Sequence, residues 1–241
     1  MKKLTYLIFS ITLTSLSFQA IANPFHSDDK YEKFNRSMFE FNLTFHDYIG
    51  EPVGNTYKKA VPQPARNAVS NFFNNLKMPL NMTNNFLQGN VEKGLGDFMR
   101  FSINTVFGFG GLIDIATPAG LPYEKTDFGH TLYKWGIWDD SAFVMMPFLG
   151  GYTVRDLFGK GVDSSYDPTF SYIIQTTNDG RIAFTIGDGF DSYVKVIDLV
   201  DLVKTMPDPY IFYRESYFQQ RGRLLNDGKT TITPLDDFDF D

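Results

Sequence analysis

Three histidines are the natural starting point for chemistry in this sequence: His26, His46 and His130. Their separations match no metal-ligand spacing, and no His-Glu-x-x-His pair sets two imidazoles one helical turn apart. No Gly-x-Ser-x-Gly elbow is present, so the usual cue for an α/β-hydrolase serine is missing. Asp139 and Asp140 are neighbours in sequence, which gives them no reason to converge on one substrate. The run Phe107-Gly108-Phe109-Gly110-Gly111-Leu112-Ile113 is rich in glycine, but no Walker lysine follows it and Ile113 stands where a dinucleotide fingerprint needs its third glycine. These residues predict a protein that is not an enzyme, with no cofactor and no metal site.

What the sequence does carry is apolar surface. Aromatic residues make up 17% of the chain and cysteine is absent, so the rings must be placed in a core or against lipid without a disulfide or a thioether-linked acyl chain. Lys2 and Lys3 precede an apolar run, Leu4 to Phe18, and Ala20-Ile21-Ala22 supplies a small-x-small cleavage site. That pattern predicts a cleavable signal peptide over 1–22 rather than a spanning helix, which needs about 20 apolar residues. Its removal takes two lysines and no acid, so the formal charge moves from −6 to −8. Such a balance excludes a nucleic-acid partner held by lysine and arginine. It equally gives no electrostatic attraction to anionic lipid. Membrane contact must then rest on apolar area.

The elements that position these residues read as helices. Asp29 and Glu32 have capping-box spacing, and Tyr31, Phe34, Met38, Phe41, Phe45 and Tyr48 follow on one side at helical period. Phe39 and Leu43 lie nearly opposite. Such a helix can pack on a core with the aromatic stripe and turn Phe39 and Leu43, the expected membrane-facing residues, to lipid; the alternative is that both faces are buried in protein. Pro64 opens a second helix with Ala65, Val69, Phe72, Phe73 and Leu76 inward; Pro79 is expected to break it, with a short turn over 81–87. A third helix is predicted over 91–107, capped by Asn90 and stopped at Gly108, with Val91, Leu95, Phe98, Met99, Ser102 and Val106 as its stripe. It leads into the glycine run, a flexible, greasy hairpin. Residues 127–151 read as irregular loops with short helical pieces, 188–204 as a helix, and 210–225 as the last helix. The segment 226–241, rich in aspartate, is expected to be an acidic, disordered tail.

Five segments taken in order resemble the MlaA (VacJ) family: Phe34-Asn35-Arg36-Ser37-Met38-Phe39-Glu40-Phe41-Asn42, Val61-Pro62-Gln63-Pro64-Ala65-Arg66-Asn67, Asn85-Phe86-Leu87-Gln88-Gly89, Asn104 to Asp114, and Asp208-Pro209-Tyr210 with Arg214-Glu215-Ser216-Tyr217-Phe218. The resemblance spans roughly residues 30–225. It implies an all-α, single ring-shaped domain over 23–225, lying in the inner leaflet of the Gram-negative outer membrane around an amphipathic central channel. It also implies retrograde phospholipid transport that maintains lipid asymmetry, with phospholipid, the periplasmic carrier MlaC and a trimeric outer-membrane porin as partners. Phe98, Phe101, Val106, Phe107, Phe109, Leu112 and Ile113 are the expected lipid-binding residues, and Gly108, Gly110 and Gly111 the expected gating hairpin. Members of the family usually carry a lipobox cysteine, and this sequence has none. The expected location is the periplasmic side of the outer membrane, not lipidated. A porin-docking structural protein and a periplasmic lipid-acting hydrolase are the alternatives.

Overall fold

The computed structural model describes residues 29–170 and 178–226. The expected signal peptide and residues 227–241 of the expected tail lie outside them. Helix α1 (Glu32–Phe45) passes through a π-helical turn (His46–Gly50) into α2 (Glu51–Ala60). Long α3 (Gln63–Leu87) and α4 (Val91–Val106) form a helical hairpin. Short α5 (Phe128–Lys134) precedes an antiparallel pair, β1 (Phe143–Met146) and β2 (Gly150–Thr153), with Phe143 opposite Thr153. Helices α6 (Val154–Tyr166), α7 (Asn178–Lys204) and α8 (Pro209–Leu225) complete the described chain. The contacts close a circuit: α3 packs on α5, α5 on α8, α8 on α7, and α7 back on α3. The helical class and the ring-like arrangement are as expected; β1 and the start of β2 lie in the stretch 127–151, where the sequence showed no clear period, and α6 follows it.

Local signals account for several boundaries. Val61 is extended before Pro62, and Pro64 enters the first turn of α3 where its missing N–H costs nothing. The side chains of Asp127, Thr153 and Asp208 cap α5, α6 and α8 by accepting the N–H groups of His130, Asp156 and Ile211. Asp29 behaves differently from the expected cap. Its carboxylate accepts from the Tyr31 N–H, the Asn35 amide and the Tyr210 hydroxyl, so it ties the start of α1 to α8.

The faces of α1 are the reverse of those expected. Phe39 is 6% exposed and meets Phe143, Met145 and Tyr210 in the core, with Leu43 packed against that cluster. Neither residue faces the membrane. Of the aromatic stripe, Tyr31, Phe34, Phe41 and Tyr48 are exposed, and Met38 alone of its residues packs against that cluster. The physical reason lies in two asparagines on the Phe39 side. Asn35 donates to the Phe143 carbonyl and accepts from the Met145 N–H, while Asn42 pairs with the Met146 carbonyl and the Phe148 N–H. They satisfy backbone groups along β1 and the turn after it, and burying those groups unpaired would cost more than turning a phenylalanine outward.

Pro79 does not break α3; the helix runs through it and the proline is buried. The turn beyond is pinned by Asn81, whose amide donates to the Glu124 carbonyl and accepts from the Thr126 N–H. Tertiary bonding of this kind offsets the roughly 3 kcal/mol a mid-helix proline costs.

Candidate functional site

The α3–α4 hairpin is polar inside and apolar outside. On α4 the buried residues are Gly94, Asp97, Arg100 and Asn104, while Val91, Leu95, Phe98, Met99 and Val106 are all at least half exposed. The apolar stripe that the periodicity picks out is therefore the outer surface of the helix. Helix α3 does the same, burying Asn75, Asn81, Asn84 and Asn85 beside Met78 and Pro79. Among the described residues, 21 polar or charged side chains are buried against 11 hydrophobic ones, so this arrangement extends beyond one helix. A helix in water turns its polar face outward; a contiguous apolar outer face marks contact with lipid or with another protein.

The interior is a connected polar network. Asn85 donates to Asp97 at 2.7 Å, and burial pushes the Asp97 carboxyl up to about 6. Arg100 is buried, 3.3 Å from Asp114, and also donates to Thr117 and to the Leu121 carbonyl. Asn104 donates to Asp114 and accepts from the Ile115 and Ala116 N–H groups. Burial works to raise the Asp114 carboxyl, but hydrogen bonds from Thr117 and Asn104 and the Arg100 charge outweigh it and hold it below the usual carboxylate range.

This network fixes the glycine run. Gly110 donates to the Thr105 carbonyl, Gly111 to Asn104 and Ile113 to Gly108. Phe109, Gly110 and Gly111 have φ of 53°, 71° and 95°, so the left-handed backbone here suits glycine. A Cβ at Gly111 would press on Asn75 at 2.5 Å, whereas one at Gly110 would meet nothing within 4 Å. The flexible join expected from composition is a hydrogen-bonded turn that holds Phe107 and Phe109 outward, at 70% and 77% exposure.

Two cavities lie side by side between α3 and α4. The apolar one, about 130 Å³, is lined by Met78, Pro79, Met82, Asp97, Phe98 and Phe101. The polar one, about 30 Å³, includes Asn75, Arg100, Asn104, Asp114 and Tyr123, and Met78 belongs to both. Asn75 Oδ1 and Arg100 Nε are buried there without a hydrogen-bond partner. Of the predicted lipid-binding residues, Phe98 and Phe101 thus line a cavity; Val106, Phe107, Phe109, Leu112 and Ile113 form an exposed apolar end to the same hairpin, and Gly108, Gly110 and Gly111 shape its turn. Met78, Met82 and the asparagines were not singled out. Their signal was the recurrence of Asn71, Asn74, Asn81 and Asn85 at steps of three, seven and four residues, a polar stripe on α3.

The buried carboxyls set a pH dependence. Burial raises Asp97 and Asp163 to about 6, above their unfolded value near 3.9, so each takes up a proton more readily when folded. Stability therefore rises as the pH falls from 8 towards 5. Asp127 runs the other way: burial works to raise it, but Arg221 holds it down at about 2, so its contribution is lost as pH falls below 4. We expect the melting temperature to peak near pH 5, each raised group accounting for about 1–3 kcal/mol. Asp163→Asn should flatten the rise. A melting temperature that climbs steadily from pH 5 to 8 would contradict the assignment.

Comparison with known proteins adds a family to this geometry. A family model described as MlaA lipoprotein matches residues 27–224. The "Intermembrane phospholipid transport system lipoprotein MlaA" of Escherichia coli (strain K12) is 38% identical over 205 residues, 83% of this chain and 80% of that protein. The protein of the same name from Haemophilus influenzae is 34% identical over 206 residues, 84% of this chain and 81% of that one. A solved structure described as "Structural basis for maintenance of bacterial outer membrane lipid asymmetry" superposes with a TM-score of 0.73 at 38% identity, covering 83% of this chain and all of that one.

These names correct one expectation. The matching model and the relatives are lipoproteins, so the expectation of a non-lipidated protein is overturned, while a place on the periplasmic side of the outer membrane fits them. That expectation rested on one observation, the lack of cysteine in this sequence, which bears on a single attachment chemistry.

Proposed function

The chain belongs to the MlaA lipoprotein family, and from that premise we propose that it is a component of retrograde phospholipid transport that maintains outer-membrane lipid asymmetry. It takes phospholipid from the outer leaflet through an amphipathic channel within its helical ring and passes it to the periplasmic carrier MlaC, docked on a trimeric porin. Residues 23–225 act as one domain. It acts without catalysis, and since the sequence holds no nucleotide-binding motif, direction and energy come from its partners.

The observation that carries this reading is the inverted polarity of α4. Val91, Leu95, Phe98 and Met99 point outward and Asp97, Arg100 and Asn104 inward, as suits an element with lipid tails outside and polar groups passing within. Among the described residues no helix is long and apolar enough to cross a membrane, which fits a domain seated in one leaflet. Each acyl methylene moved out of water is worth about 0.8 kcal/mol, so a lipid in transit must stay in apolar contact. Phe98 and Phe101 offer that contact at the apolar cavity, and the Val106–Ile113 end extends it.

The hairpin tests the mechanism. Gly110→Val places a side chain at φ 71° with open space around it, so it strains the backbone by about 1–2 kcal/mol without a collision. We expect fluorescent phospholipid transfer from proteoliposomes to the carrier, counted per folded molecule, to fall well below that of the parent. Unchanged transfer by a folded Gly110→Val variant removes the hairpin from the mechanism. Absence of any co-purified phospholipid from the parent would favour the porin-docking alternative.

A further inference from the structure

The junction of α1 and α2 gathers ligand types that the sequence keeps apart. The π-helical turn carries a bond from the Glu51 N–H to the His46 carbonyl, five residues back. In a regular α-helix, residues five apart diverge by about 140°; widening the turn brings positions 46, 47 and 51 towards one side. One ring nitrogen of His46 and a carboxylate oxygen from each of Asp47 and Glu51 lie within 4.8 Å of one another. His46 is 2% exposed, so this imidazole is held rather than solvated.

Helix α7 completes the surroundings. Tyr193 hydroxyl is 2.6 Å from His46 Nδ1, and Asp201 Oδ1 is 3.3 Å from Nε2. Tyr193 reaches the ring only because residue 50 is glycine: a Cβ there would collide with the phenol. Lys204 supplies an ammonium 2.6 Å from Asp47 and 3.6 Å from Asp201. Asp47 and Asp201 thus share one ammonium, and Glu51 adds a third carboxylate beside them, a net negative cluster of the kind a divalent ion offsets.

We propose that this turn is a divalent transition-metal site, with His46, Asp47 and Glu51 as ligands and Lys204 as the cation the metal displaces. An imidazole with two carboxylates suits zinc or manganese better than calcium or magnesium, which prefer all-oxygen shells. One ring nitrogen binds the ion and the other keeps its hydrogen bond, the arrangement that commonly orients a ligating histidine. A bound ion would cross-link the π-helical turn to the first turn of α2. The site does not depend on the transport reading.

The test is calorimetric titration of Zn²⁺ into the full chain, stripped of metal and held in detergent, with melting curves recorded in parallel. One ion per chain and a higher melting temperature are expected. His46→Gln, which still bonds Tyr193, and Glu51→Gln should each weaken binding about tenfold or more while remaining folded by circular dichroism; tenfold corresponds to about 1.4 kcal/mol. Lys204→Met should tighten it, because the competing ammonium is gone. No saturable binding, or binding indifferent to His46→Gln and Glu51→Gln, overturns the site.

Discussion

Arg221→Ala should cost about 3–5 kcal/mol of stability, the loss typical of removing one partner from a buried ion pair. Arg221 reaches from α8 to Asp127 with paired bonds of 2.8 and 2.7 Å, and to Asp156 at 2.8 Å. Asp127 caps α5 and Asp156 lies in the first turn of α6, so one guanidinium joins three helices. Asp156 also accepts from Arg155 and the Tyr217 hydroxyl, which leaves Asp127 the group most exposed to the loss. Helices α5 and α6 approach so closely that a Cβ at Gly159 would strike the Gly129 backbone, and their interface offers no room for rearrangement. Since α5–α8 is one contact of the closed circuit, the ring should open where the bridge was. Chemical denaturation in detergent checks this, and a loss below about 1 kcal/mol would show the network to be dispensable.

Phe39→Ala and Phe41→Ala should separate cleanly, although only Glu40 stands between the two residues. Phe39 packs edge-on against Tyr210 at 5.8 Å and beside Tyr213 at 5.6 Å, deep in the core. Its truncation should cost about 3–5 kcal/mol. Phe41 meets Phe148 at 5.1 Å, and Phe148 is itself 66% exposed. Phe41→Ala should therefore cost about 1 kcal/mol or less in detergent. If the outer stripe meets lipid, its effect appears instead in membrane retention: Phe34→Ala combined with Phe41→Ala should reduce binding to liposomes of bacterial phospholipid. Equal destabilisation by Phe39→Ala and Phe41→Ala, with liposome binding unchanged, would restore the core to the aromatic stripe.

The aromatic stripe of α1 shows where sequence reading and structure part. Hydrophobic period identified the helix, because a 3.6-residue repeat is a local property of the chain. It did not identify the buried face, since that rule assumes water outside. On α1 and α4 the larger apolar stripe is the outer one, and Asn35, Asn42, Asp97, Arg100 and Asn104 point in. Pro79 failed as a helix breaker for a related reason: the bonds of Asn81 to Glu124 and Thr126 come from residues more than forty positions away.

From the sequence alone came the helical class, the last helix, the turn-forming glycines and, through five ordered segments, the family; each depends on local spacing or on residue identities in order. Only the tertiary structure decided which faces are inside, that α5, α8 and α7 close a circuit with α3, and that His46 meets Tyr193 and Asp201 from a helix some 150 positions away. Those outcomes come from long-range pairing of buried polar groups, whose partners no local pattern names.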